Sequence, residues 1–256
     1  MIVPYAIAGL AGITTIAGGL MSYGLFAPRC RWFAPLIWHG PRSGPGRIAL
    51  TFDDGPHPQT TPAILEVLNK HEAPATFFAI GAHVQRHPTV LRDAHAAGHL
   101  IANHSYDHHY TGLFGAYPYW RAQIDKANDV IESTIGYRPA LFRPPMGFKH
   151  VPMARAARDC GCAIVTWSRR GWDGLPTTPA RIIGHLNNRC VPGDIILLHD
   201  GTPTQSAQPP RATAQALDTL IRNIRSQGLA LVRLDEMLSR PAYARPQRRP
   251  AAAGRA

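Results

Sequence analysis

The chain has 256 residues, 45% apolar and only 17% charged, enough to bury a sizeable core in one large domain or two small ones. Lys and Arg (27) outnumber Asp and Glu (16), a balance that favours anionic partners such as phospholipid headgroups, nucleic acid or an acidic polymer without choosing among them. The four cysteines, Cys30, Cys160, Cys162 and Cys190, form no CxxC pair, which excludes a zinc knuckle and a disulfide framework.

Residues 1–27 (MIVPYAIAGLAGITTIAGGLMSYGLFA) carry no charged side chain and are long enough for a helix to span a bilayer core. They lack the basic start of a cleaved signal peptide. Arg29, Arg31, Arg42 and Arg47 follow them, an order that by the positive-inside rule puts the rest on the cytoplasmic side. An export signal, cleaved or retained, would put it on the other. The expectation is a protein anchored in a bacterial inner membrane through residues 1–27, with the side of its main domain left open. Within 28–46, Trp32, Phe33, Leu36, Ile37 and Trp38 read as an interfacial stretch. Residues 41–46 read as a Pro- and Gly-rich linker.

From residue 47 the pattern alternates. Strand-like runs fall at 47–52, 75–80, 99–103, 140–143, 163–167, 194–198 and 229–233. Between them lie helix-like segments: TTPAILEVLNKH, HPTVLRDAHAAG, YWRAQIDKANDVIESTIG, VPMARAARDCG, TPARIIGHLNNR and RATAQALDTLIRNIRSQG. Seven short apolar strands alternating with six helices predict a parallel α/β fold, as a barrel or an open sheet. Residues 239–256, rich in Pro, Ala and Arg, predict a disordered basic tail.

Function in such folds collects at the C-terminal ends of strands. The first strand runs into Asp53-Asp54, the third into NHSYDHH, the fourth into FRPPMG, the fifth into WSRRGWDG and the sixth into LLHD. His104 and His108 are spaced so that one helical turn would bring both imidazoles to a shared metal ion. Two histidines and a carboxylate with an open position make a hydrolytic metal site. Two adjacent acids then have a use: neighbours in an extended chain point apart, so one can bind metal while the other faces the attacking water. As a surface turn, DDGP would carry no such role.

The set TFDDGP, HSYDH, RPPMG, WDG and LLHD, in that order, resembles the NodB-homology polysaccharide deacetylase family, carbohydrate esterase family 4, over residues 47–238. The resemblance implies a distorted (β/α) barrel of about seven parallel strands, here preceded by the N-terminal membrane segment. It implies one divalent metal ion, usually zinc, and hydrolysis of an N-acyl, most often N-acetyl, group from an amino sugar. Carried over by motif, Asp54 would bind metal with His104 and His108, Asp53 would be the general base, and His199 the general acid. Arg143 would hold Asp53, and Asp173 would orient His199. The Met146 N–H would complete an oxyanion hole, and Leu198 would line the pocket for the acyl methyl.

The chain departs from the family pattern where Met146 stands in place of a frequent Tyr and Gly174 in place of a frequent Trp. Arg169 and Arg170 occupy the region of a usual Asp, which suggests either an altered sugar environment, one able to meet phosphate, or a buried ion pair. His57 and His109 flank site residues and are not expected to ligate. Tyr106 and Asp107 fill the loop between the histidines. The substrate implied is an amino-sugar glycan or peptidoglycan-like polymer, or else a lipid-linked or soluble amino sugar at the inner membrane face. A catalytically inactive glycan-binding module is the third reading. No strand interleaves aromatic with basic residues, so nucleic acid is not an expected partner.

Overall fold

The computed structural model describes residues 3–187, 190–205 and 211–244, with side chains from residue 15 onward. Its sheet contains β1 (Arg47–Asp53), β2 (Thr76–Ala79), β3 (Leu100–Asn103), β4 (Leu141–Phe142), β5 (Ala163–Ile164), β6 (Arg169–Arg170), β7 (Ile195–His199) and β8 (Ala230–Leu231). Seven strands follow the order β5-β4-β3-β2-β1-β7-β6, all pairings parallel, and β8 adds to β1. No ladder joins β5 to β6, so the expected barrel is open along that seam. β6 was not expected: its two arginines read as loop because neither is apolar, and pairing with Ile196 and Leu197 makes them strand.

The helices are α1 (Val3–Phe26), α2 (Thr60–Lys70), α3 (Gly81–Arg86), α4 (Pro88–Ala96), α5 (Tyr117–Ile135), α6 (Val151–Asp159), α7 (Pro179–Leu186), α8 (Arg211–Ser226) and α9 (Leu234–Met237). Strand alternation sorts the core into two faces. Ile48, Leu50, Phe52, Ile196 and Leu198 pack outward with Ile64 of α2 and Leu217 and Leu220 of α8. Ala49, Phe78, Leu100, Leu141, Trp167, Ile195 and Leu197 form the interior cluster beneath the strand ends. The site stands on top of that second cluster.

Three expectations about the ends of the chain change. Residues 3–26 do form a helix, but among the described residues no helix is long and apolar enough to cross a membrane, so the span expected at 1–27 is left without support. Five glycines, two threonines and a serine dilute its apolar side chains. The stretch 28–46 is part of the domain. Ala34 and Leu36 are buried with Trp120, Phe142 and Met153, and Ile37 pairs in parallel with Val165 along the open seam. Of the tail expected at 239–256, residues 242–244 lie against 138–140. Ala140 N–H donates to the Ala242 carbonyl, and Pro139 and Tyr243 pair antiparallel. Residues 245–256 lie outside the described residues.

Candidate active site

The two acids part at the end of β1. Asp53 keeps strand geometry and pairs in register with Phe78 of β2 and His199 of β7, which sets it beside a histidine on the next strand. Asp54 turns into the left-handed region (φ 74°), which a short polar side chain tolerates. Its carbonyl meets His83 Nδ1 at 2.8 Å. A Cβ at Gly55 would collide with the Asp200 carboxylate, and one at Gly201 with the Asp54 carbonyl, so this corner is closed to larger residues.

The expected helical turn between His104 and His108 is absent. They stand on an irregular loop after β3, and left-handed Ser105 (φ 66°) and His108 (φ 52°) bring their rings to 4.9 Å, centroid to centroid. His104 Nδ1 bonds the Arg143 carbonyl at 2.7 Å, a contact that leaves Nε2 free to ligate. Nε2 of His104 and of His108 lie 3.4 and 3.6 Å from Asp54 Oδ1. One ligand atom from each of the three residues falls within 4.8 Å of the others, and all three residues are buried. Asp54 Oδ1 has no hydrogen-bond partner among the described residues. A buried carboxylate oxygen in that state is what a cation would satisfy, and one carboxylate with two imidazoles is a donor set that zinc accepts. Burial pulls His108 down to about 4, leaving a neutral imidazole at pH 7. Burial works to raise Asp54, but His104 and His108 beside it hold it well below the usual carboxylate range.

Asp53 faces Arg143. The guanidinium is fully buried, donates to Asp53 Oδ1 (2.7 Å) and Thr51 Oγ1 (2.8 Å) through NH1, and to the Thr166 carbonyl (3.1 Å) through NH2. It lies over the Phe78 ring at 4.0 Å. Asp53 Oδ2 lies 3.7 Å from His104 Nε2, so the carboxylate reaches the edge of the three-residue cluster without being its centre.

On the other side, Asp173 grips His199 twice, through Nδ1 (2.9 Å) and the backbone N–H (2.8 Å), and is itself held by the Thr213 hydroxyl at 2.7 Å. Burial alone would lower the His199 pKa, but the Asp173 carboxylate outweighs it, and the imidazolium is pushed up to about 9. A Cβ at Gly174 would come within 3.0 Å of His199 Cε1, so this glycine leaves the ring edge clear.

Met146 sits in a tight turn, Pro145–Gly147, with φ 55°, and its N–H makes no hydrogen bond among the described residues. Leu198 does not line the pocket: it is 1% exposed and packs outward with Phe52, because strand alternation puts it on the face opposite His199. Leu197 is the leucine on the interior face. Arg169 forms an ion pair with Asp194, whereas Arg170 stacks on Trp172 at 3.1 Å. His57 Nδ1 accepts the N–H groups of Gln59 and Thr60 at the start of α2, and the exposed His109 caps the next turn. Tyr106 and Asp107 bond Gln85 and Gln123. Sequence reasoning assigned no part to Thr51, His83, Asp200 or Thr213. Thr51 was legible, since it shares a face with Asp53, and Asp200 stood in the LLHD motif without a role; nothing local marked His83 or Thr213.

Comparison with known proteins decides the family. A family model described as polysaccharide deacetylase matches residues 41–165. A peptidoglycan-N-acetylglucosamine deacetylase of Bacillus cereus is 34% identical over 202 residues, covering 75% of this chain and 87% of the relative. The chain belongs to the polysaccharide deacetylase family. It is a hydrolase of the carbohydrate esterase family 4 type. A chitooligosaccharide deacetylase of Azorhizobium caulinodans is 34% identical, over 72% of this chain and 90% of that one. Among solved structures, a peptidoglycan N-acetylglucosamine deacetylase in complex with a naphthyl N-oxidanyl-benzamide superposes with a TM-score of 0.76 at 28% identity, covering 82% of this chain and 95% of that one. A family pseudoenzyme from Bacillus anthracis superposes at 0.71 and 27% identity, covering 80% and 69%. Likeness of fold therefore does not by itself carry activity; the site must.

Proposed function

We propose that this deacetylase removes the N-acetyl group of an amino sugar within a glycan, with one divalent cation held by Asp54, His104 and His108. The observation that carries the reading is the pairing, on adjacent strands, of a carboxylate anchored by Arg143 with a histidine anchored by Asp173, the Asp54–His104–His108 cluster lying next to that carboxylate. Similarity to peptidoglycan and chitooligosaccharide deacetylases supports the substrate class.

A bound divalent cation supplies Lewis-acid polarisation of the amide carbonyl and activates water near neutral pH. The chain does the rest. Asp53, one oxygen fixed by Arg143, takes a proton from the attacking water as the C–O bond forms. The Met146 N–H donates to the oxygen that gains charge. His199, protonated at neutral pH and held by Asp173, delivers a proton to the departing nitrogen as the C–N bond breaks. The products are acetate and a free amine. The test is bound-metal content together with acetate release from N-acetylglucosamine oligomers and from peptidoglycan, with and without chelator. One cation per chain and chelator-sensitive acetate are expected. Metal without acetate from either polymer contradicts the substrate class; absence of metal contradicts the ligand set.

A further inference from the structure

Lys149 follows the Met146 turn by three residues, and its side chain is fully buried. Among the described residues it has no acidic partner. Its Nζ donates instead to the carbonyls of Ala27 (2.7 Å) and Leu25 (3.3 Å), and its backbone N–H donates to Leu25 (3.0 Å). Those carbonyls end α1, where helix geometry leaves C=O groups unpaired and the dipole favours a cation. Burial lowers the pKa of this lysine, as expected when a charge leaves water without a carboxylate beside it. Phe148, also buried, packs on Phe26 at 5.2 Å. From the opposite side, Gly147 (φ 67°) lies under Trp167, where a Cβ would come to 2.6 Å. The turn carrying the Met146 N–H is therefore clamped between the interior cluster and the end of α1. One strand further along, the same N-terminal segment meets Thr166: its hydroxyl donates to Pro28 at 2.6 Å and its N–H to Ile37 at 2.8 Å, while its carbonyl accepts from Arg143. The N-terminal partners in these contacts, Leu25 to Ile37, all lie before residue 41, where the match to the family model begins.

We propose that Lys149 is a positioning residue for the reaction: by docking onto the C-terminal carbonyls of α1, it fixes the 145–149 turn and the Met146 N–H, making residues 25–28 part of the deacetylase machinery of this chain. The proposal rests on the reading of Met146 as the oxyanion donor. Misplacing a polarising donor by a fraction of a bond length is felt in the transition state more than in substrate binding.

The experiment uses the full chain loaded with zinc. Lys149→Met keeps the stem and removes the donors. It is expected to lower kcat by about 10-fold or more with KM within about twofold, to retain one zinc per chain, and to speed amide hydrogen exchange across 145–149. Lys149→Arg, which restores donors, should recover most of kcat. Phe26→Ala, at a half-exposed position that does not threaten folding, should give the same exchange change with a smaller loss of kcat; Ile16→Ser, on the exposed face of α1, should change neither. The proposal is overturned if Lys149→Met keeps wild-type kcat. It is equally overturned if kcat and zinc fall together with no recovery in Lys149→Arg. Should Lys149→Met fail to fold, unchanged exchange at 145–149 in Phe26→Ala overturns it. Should the wild-type chain release no acetate, the functional reading fails, and the exchange data alone decide the dock.

Discussion

The site rests on two kinds of ground. Asp53, the His104 loop and His199 rise from β1, β3 and β7, strands of seven, four and five residues in the middle of the sheet. Arg143, the Met146 turn and the Trp172–Asp173 corner rise from β4 and β6, strands of two residues each near the open seam. The first region is held by its own ladder. The second is held by side chains and by a segment from far away in sequence: Ile37 along Val165, Lys149 on the end of α1, Arg143 on the carbonyls of residues 165 and 166. The groups proposed to react stand on the ladder; several of the groups proposed to hold or assist them stand on the seam.

That division can be broken from either side. The largest effect is expected at the ladder. His108→Ala removes one of the three proposed metal ligands, and acetate release should fall to background together with bound metal while the fold survives; metal content and thermal unfolding check this. Arg143→Met should come next. It strands Asp53 in a buried site without its partner, which costs about 3–5 kcal/mol of stability in chemical denaturation, along with most of the activity. Asp173→Asn acts on titration. In the proposed mechanism His199 acts protonated, so activity is expected to fall as pH rises through its pKa. Removing the carboxylate that raises that pKa should move the alkaline limb of kcat/KM to lower pH, and an unmoved limb would show that Asp173 is not what tunes His199. The smallest effect is expected in the packing of the seam, away from Asp53. Leu36→Ala, in the cluster with Trp120 and Phe142, should cost about 2–4 kcal/mol of stability while leaving bound zinc unchanged.

The same division explains what could be read in advance. The ladder's strands announce themselves because they are apolar runs bounded by turns, and the motifs at their ends carry the acids and histidines in fixed order. Six helical segments were legible for the same reason. β6 was not, because Arg169 and Arg170 join the sheet through pairing with β7 and not through apolarity of their own. Within 28–46, Trp32, Leu36 and Trp38 read as an interfacial stretch because they are apolar; that Leu36 shares a buried cluster with Phe142, more than a hundred positions away, is something no local pattern encodes. The Leu198 assignment failed by one residue, and strand parity alone, counted back from His199, would have chosen Leu197. The left-handed Asp54, Ser105 and His108 show why a spacing of four did not need a helix to bring two imidazoles together.

In the proposed mechanism two neighbouring carboxylates do different work, Asp54 holding the cation and Asp53 moving the proton. The most direct test measures zinc content and acetate release for Asp53→Asn and Asp54→Asn side by side. Asp53→Asn should keep one zinc per chain and lose about 10²–10⁴-fold in rate, whereas Asp54→Asn should lose the zinc as well. Loss of zinc in both variants, or wild-type acetate release from Asp53→Asn, would contradict the claim.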